Sequence, residues 1–407
     1  MNRWLFLFIL AVPAALIAES LHAPSLVPFI LAALGLIPLA GIIGQATEVL
    51  AERLGPNTGG LLNATFGNAA EIIIGIAALT AGLPDVVEAS LAGSIIGNIL
   101  LVLGSAMLLG GWRHRRQVFD ERTARQYAVM LALVVIGLSI PSLLATVGES
   151  RHTGEAVLRG TSLHQLSVGV SVILLLCYAA YILFSIFGLR ADPVTTLPRT
   201  DAPHRENAEI SDEAIQAVPS GKAISRSRTE ASGEEKSTSV GNVGRFAALE
   251  NLWRNTVWLP LVVLAVATAV TAVASETLVG TIDPLTKQIG LNPLFVGLIV
   301  LPIVGNAAEH FSAITASIDN KMEISLSITA GSSIQVALFA APVLVIIGAL
   351  IGSPLDLTFS LLEVVLFGFV AGLYALICLD GESTWLEGLL LCAFYLILAL
   401  GSFFAPA

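Results

Sequence analysis

Two glutamates in identical surroundings are the residues of this sequence best suited to chemistry. The pentapeptide GNAAE occurs twice inside long apolar stretches and ends once at Glu71 and once at Glu309. A carboxylate in the middle of a membrane helix costs at least about 2.5 kcal/mol, so it is a candidate for function. One such residue could equally be a neutral, hydrogen-bonded acid, but duplication argues against that interpretation. Two carboxylates can bind one divalent cation or two protons, and the pattern predicts a site for both.

The neighbours of each glutamate offer further oxygen ligands. Asn68 and Asn306 stand three residues before the glutamates, which predicts that each pair shares one face of a helix. Pro302 should interrupt the helical hydrogen bonds near Gly305 and free backbone carbonyls. Calcium takes six to eight oxygen ligands at about 2.3 to 2.6 Å. Two carboxylates, two amide oxygens, freed carbonyls and water would supply that number.

A second pair of polar segments follows the glutamates. GSIIGN contains Ser94 and Asn98, and GSSIQVALF contains Ser332 and Gln335. The two serines align when the copies are superimposed, whereas Asn98 and Gln335 are one residue apart in register. The amides therefore have two interpretations: equivalent positions in the site, or hydrogen bonds between neighbouring helices.

Three other titratable residues lie in or near the apolar stretches. Glu48, near the end of one stretch, could serve as a gate or proton path, or could be an acid at the membrane interface. His310 points about 100° away from Glu309 around a helix, which favours a packed core histidine over a proton relay. Glu363 is an intramembrane acid for which the sequence suggests no partner.

The elements that position these residues are transmembrane helices. Of the 407 residues, 55% are hydrophobic and 12% charged, whereas a soluble domain has about 25% charged residues. Apolar stretches of roughly 20 residues, each able to cross a bilayer, follow one another along the chain. We predict an all-α integral membrane protein with eleven transmembrane helices. The predicted spans are residues 3–20, 26–50, 58–82, 86–110, 126–147, 164–188, 256–279, 291–317, 324–351, 357–379 and 384–404.

The duplication predicts two inverted halves. The second copy follows the first at an offset of 238 residues, from Gly67 to Gly305, which also aligns Gly93 with Gly331. Five crossings separate the copies, and an odd number reverses direction, as in the inverted repeats of secondary transporters. The first helix is an extra element outside the repeats, with a signal peptide as the alternative. The predicted regions are a first helix at 1–25, a five-helix repeat at 26–189, a linker at 190–254 and a second five-helix repeat at 255–407.

Charge distribution predicts the orientation. The linker is acidic and lacks a hydrophobic period, which predicts a solvated cytoplasmic segment, with a regulatory or cation-attracting role as the alternative. The Arg-rich segment GWRHRRQVFDERTAR should also be cytoplasmic. Of the 20 Lys and Arg residues, only Arg151, Arg159 and Lys287 then face outside. We expect a multi-pass protein of a prokaryotic plasma membrane, with a cytoplasmic amino terminus and an external carboxyl terminus.

With the motifs LLNATFGNAAE, GNAAEH, GSIIGN and GSSIQVALF, the chain resembles the calcium/proton (cation/proton) exchangers of the calcium/cation antiporter superfamily. The resemblance implies an eleven-helix fold in which Glu71 and Glu309 bind the divalent cation and carry the protons. Gly97 stands where some relatives have a small polar residue. The resemblance also implies supporting roles for Asn68, Asn306, Ser94, Ser332 and Gln335.

The expected function is secondary antiport by alternating access, not enzyme catalysis. Calcium or a similar divalent cation, and protons, would be the substrates, with the lipid bilayer as surroundings, and no cofactor or nucleic acid is expected. The chain has no GxxxxGKS motif, so ATP-driven pumping is unsupported. The alternatives are an antiporter of the same fold for manganese or sodium, and a cation channel. The sequence leaves a homo-oligomer open.

Overall fold

The computed structural model describes residues 5–150, 161–186 and 256–405, and the predicted linker at 190–254 lies outside these ranges. Helices account for nearly all of the described chain, after a short 3₁₀ turn at Leu5–Leu10. The helices are α1 (Ala11–Ser20), α2 (Leu26–Phe66), α3 (Ala69–Thr80), α4 (Pro84–His114), α5 (Glu121–Ser150), α6 (Thr161–Ile186), α7 (Trp258–Gly280), α8 (Ile282–Ile289), α9 (Pro293–Gly305), α10 (Ala307–Ile318), α11 (Met322–Ile351), α12 (Leu361–Ile377) and α13 (Trp385–Phe404).

Membrane-capable helices dominate the described ranges. Seven of them are long and apolar enough to cross a bilayer. The bent pair α9 and α10, which meet at 62°, could form one more crossing. Three shorter apolar helices, Phe8–Ser20, α3 and α12, complete the set. The prediction of a helical, multi-pass membrane protein is confirmed.

Two of the predicted spans are not continuous helices. Helix α2 runs through the predicted loop to Phe66, with a kink at Gly55, whose φ of 85° suits glycine. The predicted span 58–82 then breaks before α3, and the span 291–317 breaks between α9 and α10. Each break falls at the Gly-Asn pair of the GNAAE motif. Asparagine competes with helical hydrogen bonds, and glycine is flexible, so this pair is a weak point in a helix.

Pro302 does not explain the break in the second copy. The bend comes at Asn306, four residues later, and the backbone N–H of Asn306 still donates to the Pro302 carbonyl at 3.0 Å. The first copy breaks at the equivalent place without a proline, because Ala64 stands at the related position. A π turn at Val296–Val300 directly precedes the segment with Pro302. Similar π turns occur at Asn98–Leu103 in α4 and Val336–Ala340 in α11.

The all-α prediction is wrong at one point, because two short strands form a sheet. Strand β1 (Arg116–Val118) pairs antiparallel with β2 (Glu382–Thr384). An ion pair of 2.5 Å between Arg116 and Glu382 ties the same two segments together. Alternating patterns predict strands of about 4 to 8 residues, and these strands have only three. The pairing could therefore be found only in the structure, which brings the two distant loops together.

Contacts between loops define two ends of the described bundle. At the end that carries β1 and β2, which we call the strand end, His114 Nε2 lies 2.8 Å from the Ile318 carbonyl oxygen. At the opposite end, His164 Nδ1 lies 2.9 Å from Asp356 Oδ1.

Helices α4 and α11 run in opposite directions between these ends. Helix α4 begins at the opposite end, where Thr358 Oγ1 donates to Glu88 at 3.1 Å, and finishes at His114 of the strand end. Helix α11 begins at the strand end, shortly after Ile318. It finishes at Ile351, before the loop that contains Asp356.

Candidate functional site

The predicted site residues meet where the two helix breaks lie close to the middle of α4 and α11. Asn68 and Asn306 occupy the breaks as N-cap residues, with φ of −98° and −93°, and neither side chain caps its helix. Glu71 and Glu309 lie in the first turns of α3 and α10. Each Asn and its Glu are thus the N-cap and the third residue of the same helix, and the preceding helix ends shortly before the Asn. The break releases each Asn from the helix, and each Glu lies at a helix amino terminus, where negative charge is favoured.

Hydrogen bonds between the two parts of the chain connect these residues. Asn68 Nδ2 donates to Gln335 Oε1 at 2.9 Å. Asn98 Nδ2 donates to Ser332 Oγ at 2.9 Å, and Ser332 Oγ donates to Glu309 Oε2. Asn98 and Gln335 thus bond between helices and also lie at the site, so the two interpretations of these amides are compatible.

Glu71 has a different environment from Glu309. Glu71 is buried, with 8% exposure. It lies against the second break, because a Cβ added to Gly305 would stand 3.4 Å from Glu71 Cγ. Within the described ranges, Glu71 Oε2 has no hydrogen-bond partner, and no hydrogen bond joins Glu71 to the buried Ser94.

Asn306 also lacks side-chain partners. It is 2% exposed, and neither Oδ1 nor Nδ2 is hydrogen-bonded within the part of the chain that the structure describes. Buried amide atoms without partners cost free energy. The second break therefore carries an amide whose nitrogen and oxygen are both unsatisfied, one residue after Gly305, against which Glu71 packs.

A cavity of about 1270 Å³ connects Glu309 with the strand end. Glu309, Ser332 and Gln335 form part of its wall in the middle of the bundle. Asp319 and Lys321, which follow α10 at the strand end, also line it. Glu71 is not among the lining residues. Water and ions in this cavity can therefore reach Glu309, whereas the side chain of Glu71 is shielded.

Pairs of glycines account for this one-sided access. A Cβ at Gly93 of α4 would fall 2.6 Å from Pro302 Cγ, and one at Gly297 would fall 2.6 Å from Ala89 Cβ, so α4 and α9 are in close contact. The residues related to them by the offset of 238 are Gly331 and Gly59. Both line the cavity, and a Cβ at Gly331 would meet nothing within 4 Å. The sequence alignment of Gly93 with Gly331 was the only signal of this contact.

The three remaining predicted residues have distinct positions. Glu48 is exposed and lines the cavity. His310 is half-buried beside Glu309 and is not among the lining residues. Glu363 has a partner that the sequence analysis missed, because it belongs to a capping box at the start of α12. The Ser360 backbone N–H donates to Glu363 Oε2 at 2.8 Å, and the Glu363 N–H donates to Ser360 Oγ.

The chemistry of the site is that of oxygen ligands and two carboxylates. Glu71 packs against Gly305, which stands four residues before Glu309. In the described ranges no three His, Cys, Asp or Glu side chains come together as a metal site. A cation held here would be bound by the two carboxylates and by amide and hydroxyl oxygens, a donor set that suits hard cations.

The model of the family described as "Sodium/calcium exchanger protein" matches residues 24–187 and 259–404. The chain belongs to this family. Its two matched segments contain both GNAAE motifs, and the interval between them contains the predicted linker.

Two relatives that match this chain over nearly its whole length are named as antiporters. The chain is 40% identical over 405 residues to a "Ca(2+)/H(+) antiporter" of Aphanothece halophytica, covering 100% of this chain and 97% of the relative. It is 36% identical over 404 residues to "Ca(2+)/H(+) antiporter ChaA" of Bacillus subtilis, covering 99% of both.

Solved structures agree with the fold. The structure titled "Structure of native YfkE" has a TM-score of 0.74 and 33% identity, and covers 99% of this chain and 100% of that one. The structure titled "Crystal Structure of H+/Ca2+ Exchanger CAX" has a TM-score of 0.65 over 98% of this chain and 87% of that one. At 14% identity it supports the fold alone.

Proposed function

We propose that this protein is a secondary active antiporter that exchanges calcium, or a similar divalent cation, for protons, with Glu71 and Glu309 binding the cation or protons in turn. One observation carries the proposal: two glutamates from duplicated motifs meet in the middle of a membrane bundle, and only one of them borders the cavity. The printed names of the relatives, Ca(2+)/H(+) antiporters of similar length, support the choice of substrates.

Charge balance explains why exchange is obligatory. Two ionised glutamates give the site a charge of −2, which one calcium ion or two protons neutralise. A neutral site can pass between the two sides of the membrane at modest cost, whereas an empty site with charge −2 in a low-dielectric interior cannot. The binding site therefore switches its exposure from one side of the membrane to the other when it is loaded with calcium or with protons. Calcium is carried in one direction of the cycle and protons in the other.

The ligand set comes from both breaks. Glu71 and Glu309 provide the charge, and Asn68, Asn306 and Ser332 provide neutral oxygens close to it. The supporting residues on α4 and α11 are Ser94, Asn98 and Gln335. Asn98 and Gln335 orient Ser332 and Asn68 by hydrogen bonds, and Ser94 is the counterpart of Ser332. Water completes the six to eight ligands that calcium takes.

The proposed architecture is eleven spans, consisting of one extra amino-terminal helix and two inverted five-helix repeats. Several helix bounds support it, because α3 (Ala69–Thr80) and α10 (Ala307–Ile318) coincide at the offset of 238. The opposite directions of α4 and α11 support inversion. We take the Arg-rich strand end as the cytoplasmic end, with the amino terminus inside, the carboxyl terminus outside and a prokaryotic plasma membrane as location.

In this orientation the conformation is open to the cytoplasm. Glu309 is reached from inside through the cavity, and Glu48 lies along this path as an entry acid. The close contact of α4 with α9 shuts the external side. Outward opening would require the reverse arrangement, in which Gly331 packs against the Gly59 region and Gly93 separates from α9. This is alternating access with the two glycine pairs as its contacts.

The test is calcium uptake into proteoliposomes with an imposed pH gradient. Proton-gradient-driven calcium flux that stops when a protonophore removes the gradient would support the proposal. Competition by manganese and sodium would measure cation preference. Channel-like flux that persists without any proton gradient would contradict antiport.

A further inference from the structure

One half of the site has a glycine, Gly97, where the other half has a glutamine. The segments Pro84–Gly97 and Met322–Gln335 both end where a π turn begins, so Gly97 corresponds to Gln335. Gln335 holds Asn68 by a hydrogen bond of 2.9 Å. Gly97 has no side chain to hold Asn306, the counterpart of Asn68. This correspondence explains why Asn306 has no side-chain partner in the described structure.

Tyr395 of α13 fills the space beside Gly97. A Cβ added to Gly97 would lie 3.7 Å from Tyr395 Cε2 and 4.0 Å from Tyr395 Oη. The amide of a glutamine extends roughly 3 to 4 Å from its own Cβ by standard bond lengths. The phenolic oxygen therefore lies at about the distance from position 97 at which Gln335 presents its amide on the other side.

The hydroxyl of Tyr395 is itself a buried group without a partner. Tyr395 is 3% exposed, and its Oη makes no hydrogen bond within the described ranges. A buried tyrosine hydroxyl usually has a partner, because burial without one is costly. The half of the site around Glu71 thus combines an unsatisfied phenol with an unsatisfied amide.

We propose that Tyr395 is a further positioning residue of the cation site, an inference that rests on the proposed function. In the cation-bound state Asn306 Nδ2 donates to Tyr395 Oη, as Asn68 Nδ2 donates to Gln335. This bond turns Asn306 Oδ1 towards the cation. The tyrosine from α13 replaces the glutamine that the first motif lacks, so the two halves reach equivalent ligand geometry with different residues.

The main test is Tyr395→Phe, which removes only the hydroxyl. Initial rates of proton-driven calcium uptake in liposomes should give a KM for calcium raised about fivefold, the usual effect of one lost hydrogen bond, with a nearly unchanged maximal rate. Tyr374→Phe is the matched control. Tyr374 is also buried, but its hydroxyl donates to the Leu326 carbonyl at 3.4 Å, so its removal should leave KM unchanged.

A double-mutant comparison separates positioning from general packing. If Tyr395 acts through Asn306, Tyr395→Phe should have no further effect on KM in an Asn306→Ala protein. The same change should keep its fivefold effect in an Asn68→Ala protein, because Asn68 has Gln335 as its partner. Equal effects in both backgrounds would overturn the positioning role.

The two proposals can fail separately. A wild-type protein that exchanges calcium for protons, together with a Tyr395→Phe protein of wild-type KM, would overturn the assignment of Tyr395 alone. A wild-type protein that carries out no such exchange would overturn the proposed function and the role of Tyr395 with it.

Discussion

The two GNAAE motifs have the same sequence but different surroundings. Glu309 accepts a hydrogen bond from Ser332 and borders the cavity. Glu71 is buried against Gly305 and has no bond to Ser94, the residue that corresponds to Ser332. Local sequence therefore does not determine the environment of either glutamate. The difference comes from the packing of α4, which touches α9 at Gly93, and of α11, on which Gly331 lines the cavity without a close contact.

This asymmetry is what an alternating-access protein requires. A duplicated chain in a single conformation must place one copy in the open arrangement and the other in the closed one. The two halves then display, side by side, the two arrangements that each half adopts in turn. Substitutions at related positions of the two halves should therefore have equal effects on the rate of the complete transport cycle. They should have unequal effects on a property measured in one conformation, such as calcium affinity.

The largest effect is expected for the glutamates. Glu71→Gln and Glu309→Gln should each reduce proton-driven calcium flux at least tenfold, because a site of charge −1 cannot be neutralised by calcium and exchanges one proton fewer. A change of about 1.4 kcal/mol already gives a factor of ten, and an uncompensated charge in the membrane costs more. Liposome flux at matched protein levels measures this.

Glu363→Gln is the control for that experiment. Glu363 is also a buried membrane acid, but glutamine can replace glutamate in its capping box, so flux should stay near the wild-type value. Near-normal flux in either Glu71→Gln or Glu309→Gln would remove that glutamate from the mechanism and end the symmetry of the two motifs.

The next largest effect concerns closure of the cavity. We expect Gly331→Leu to fold, because a Cβ there meets nothing within 4 Å and the residue lines the cavity, which offers room for the rest of the side chain. Flux should nevertheless fall about tenfold or more, since outward opening would bring Gly331 into the kind of close contact that Gly93 makes. Gly372→Leu is the control, because Gly372 is an exposed helical glycine with equally open space. The melting temperature tests whether each variant is folded, and liposome flux tests transport. Unchanged flux in Gly331→Leu would refute closure at this contact.

A smaller effect should distinguish the two serines. Ser332→Ala removes the hydroxyl that donates to Glu309 and accepts from Asn98, so calcium affinity in the cavity-open conformation should fall about five- to tenfold. Ser94→Ala removes no bond to Glu71 and should change affinity about twofold at most. Calorimetric titration of calcium in detergent compares them. Equal losses would mean that the solution ensemble does not favour this conformation.

The smallest effect is expected at the cavity mouth. Glu48 is exposed, so Glu48→Gln should slow calcium entry by about twofold at low salt, and the difference should disappear near 1 M salt as screening shortens to about 3 Å. Initial flux rates at two ionic strengths measure it. A loss as large as that of Glu309→Gln would place Glu48 in the binding site itself.

The sequence was a better guide to which residues lie close together than to the bounds of the helices that carry them. Glu71, Glu309 and their amides could be identified because duplication is visible in the residues themselves. The break at Asn68 was missed because an apolar stretch looks continuous whether or not one turn inside it is helical. An interruption near Gly305 was predicted, but it was attributed to Pro302 and not to Asn306. Tyr395 was missed because it is far from both motifs in sequence. The asymmetry of the halves could not be predicted, since the two motifs have the same sequence. They differ only because the protein is in one particular conformation.

The strand pair has a consequence for biogenesis. Strand β1 follows α4, whereas β2 lies between the last two helices, so ribosomal synthesis and membrane insertion of nearly the whole chain must precede their pairing. The β1–β2 ladder can form only in a late step of assembly, because helices emerge and dock in order during synthesis. Until then the first helices lack this link between the two segments, and an intact ladder marks a nascent chain whose helices up to α12 have been made.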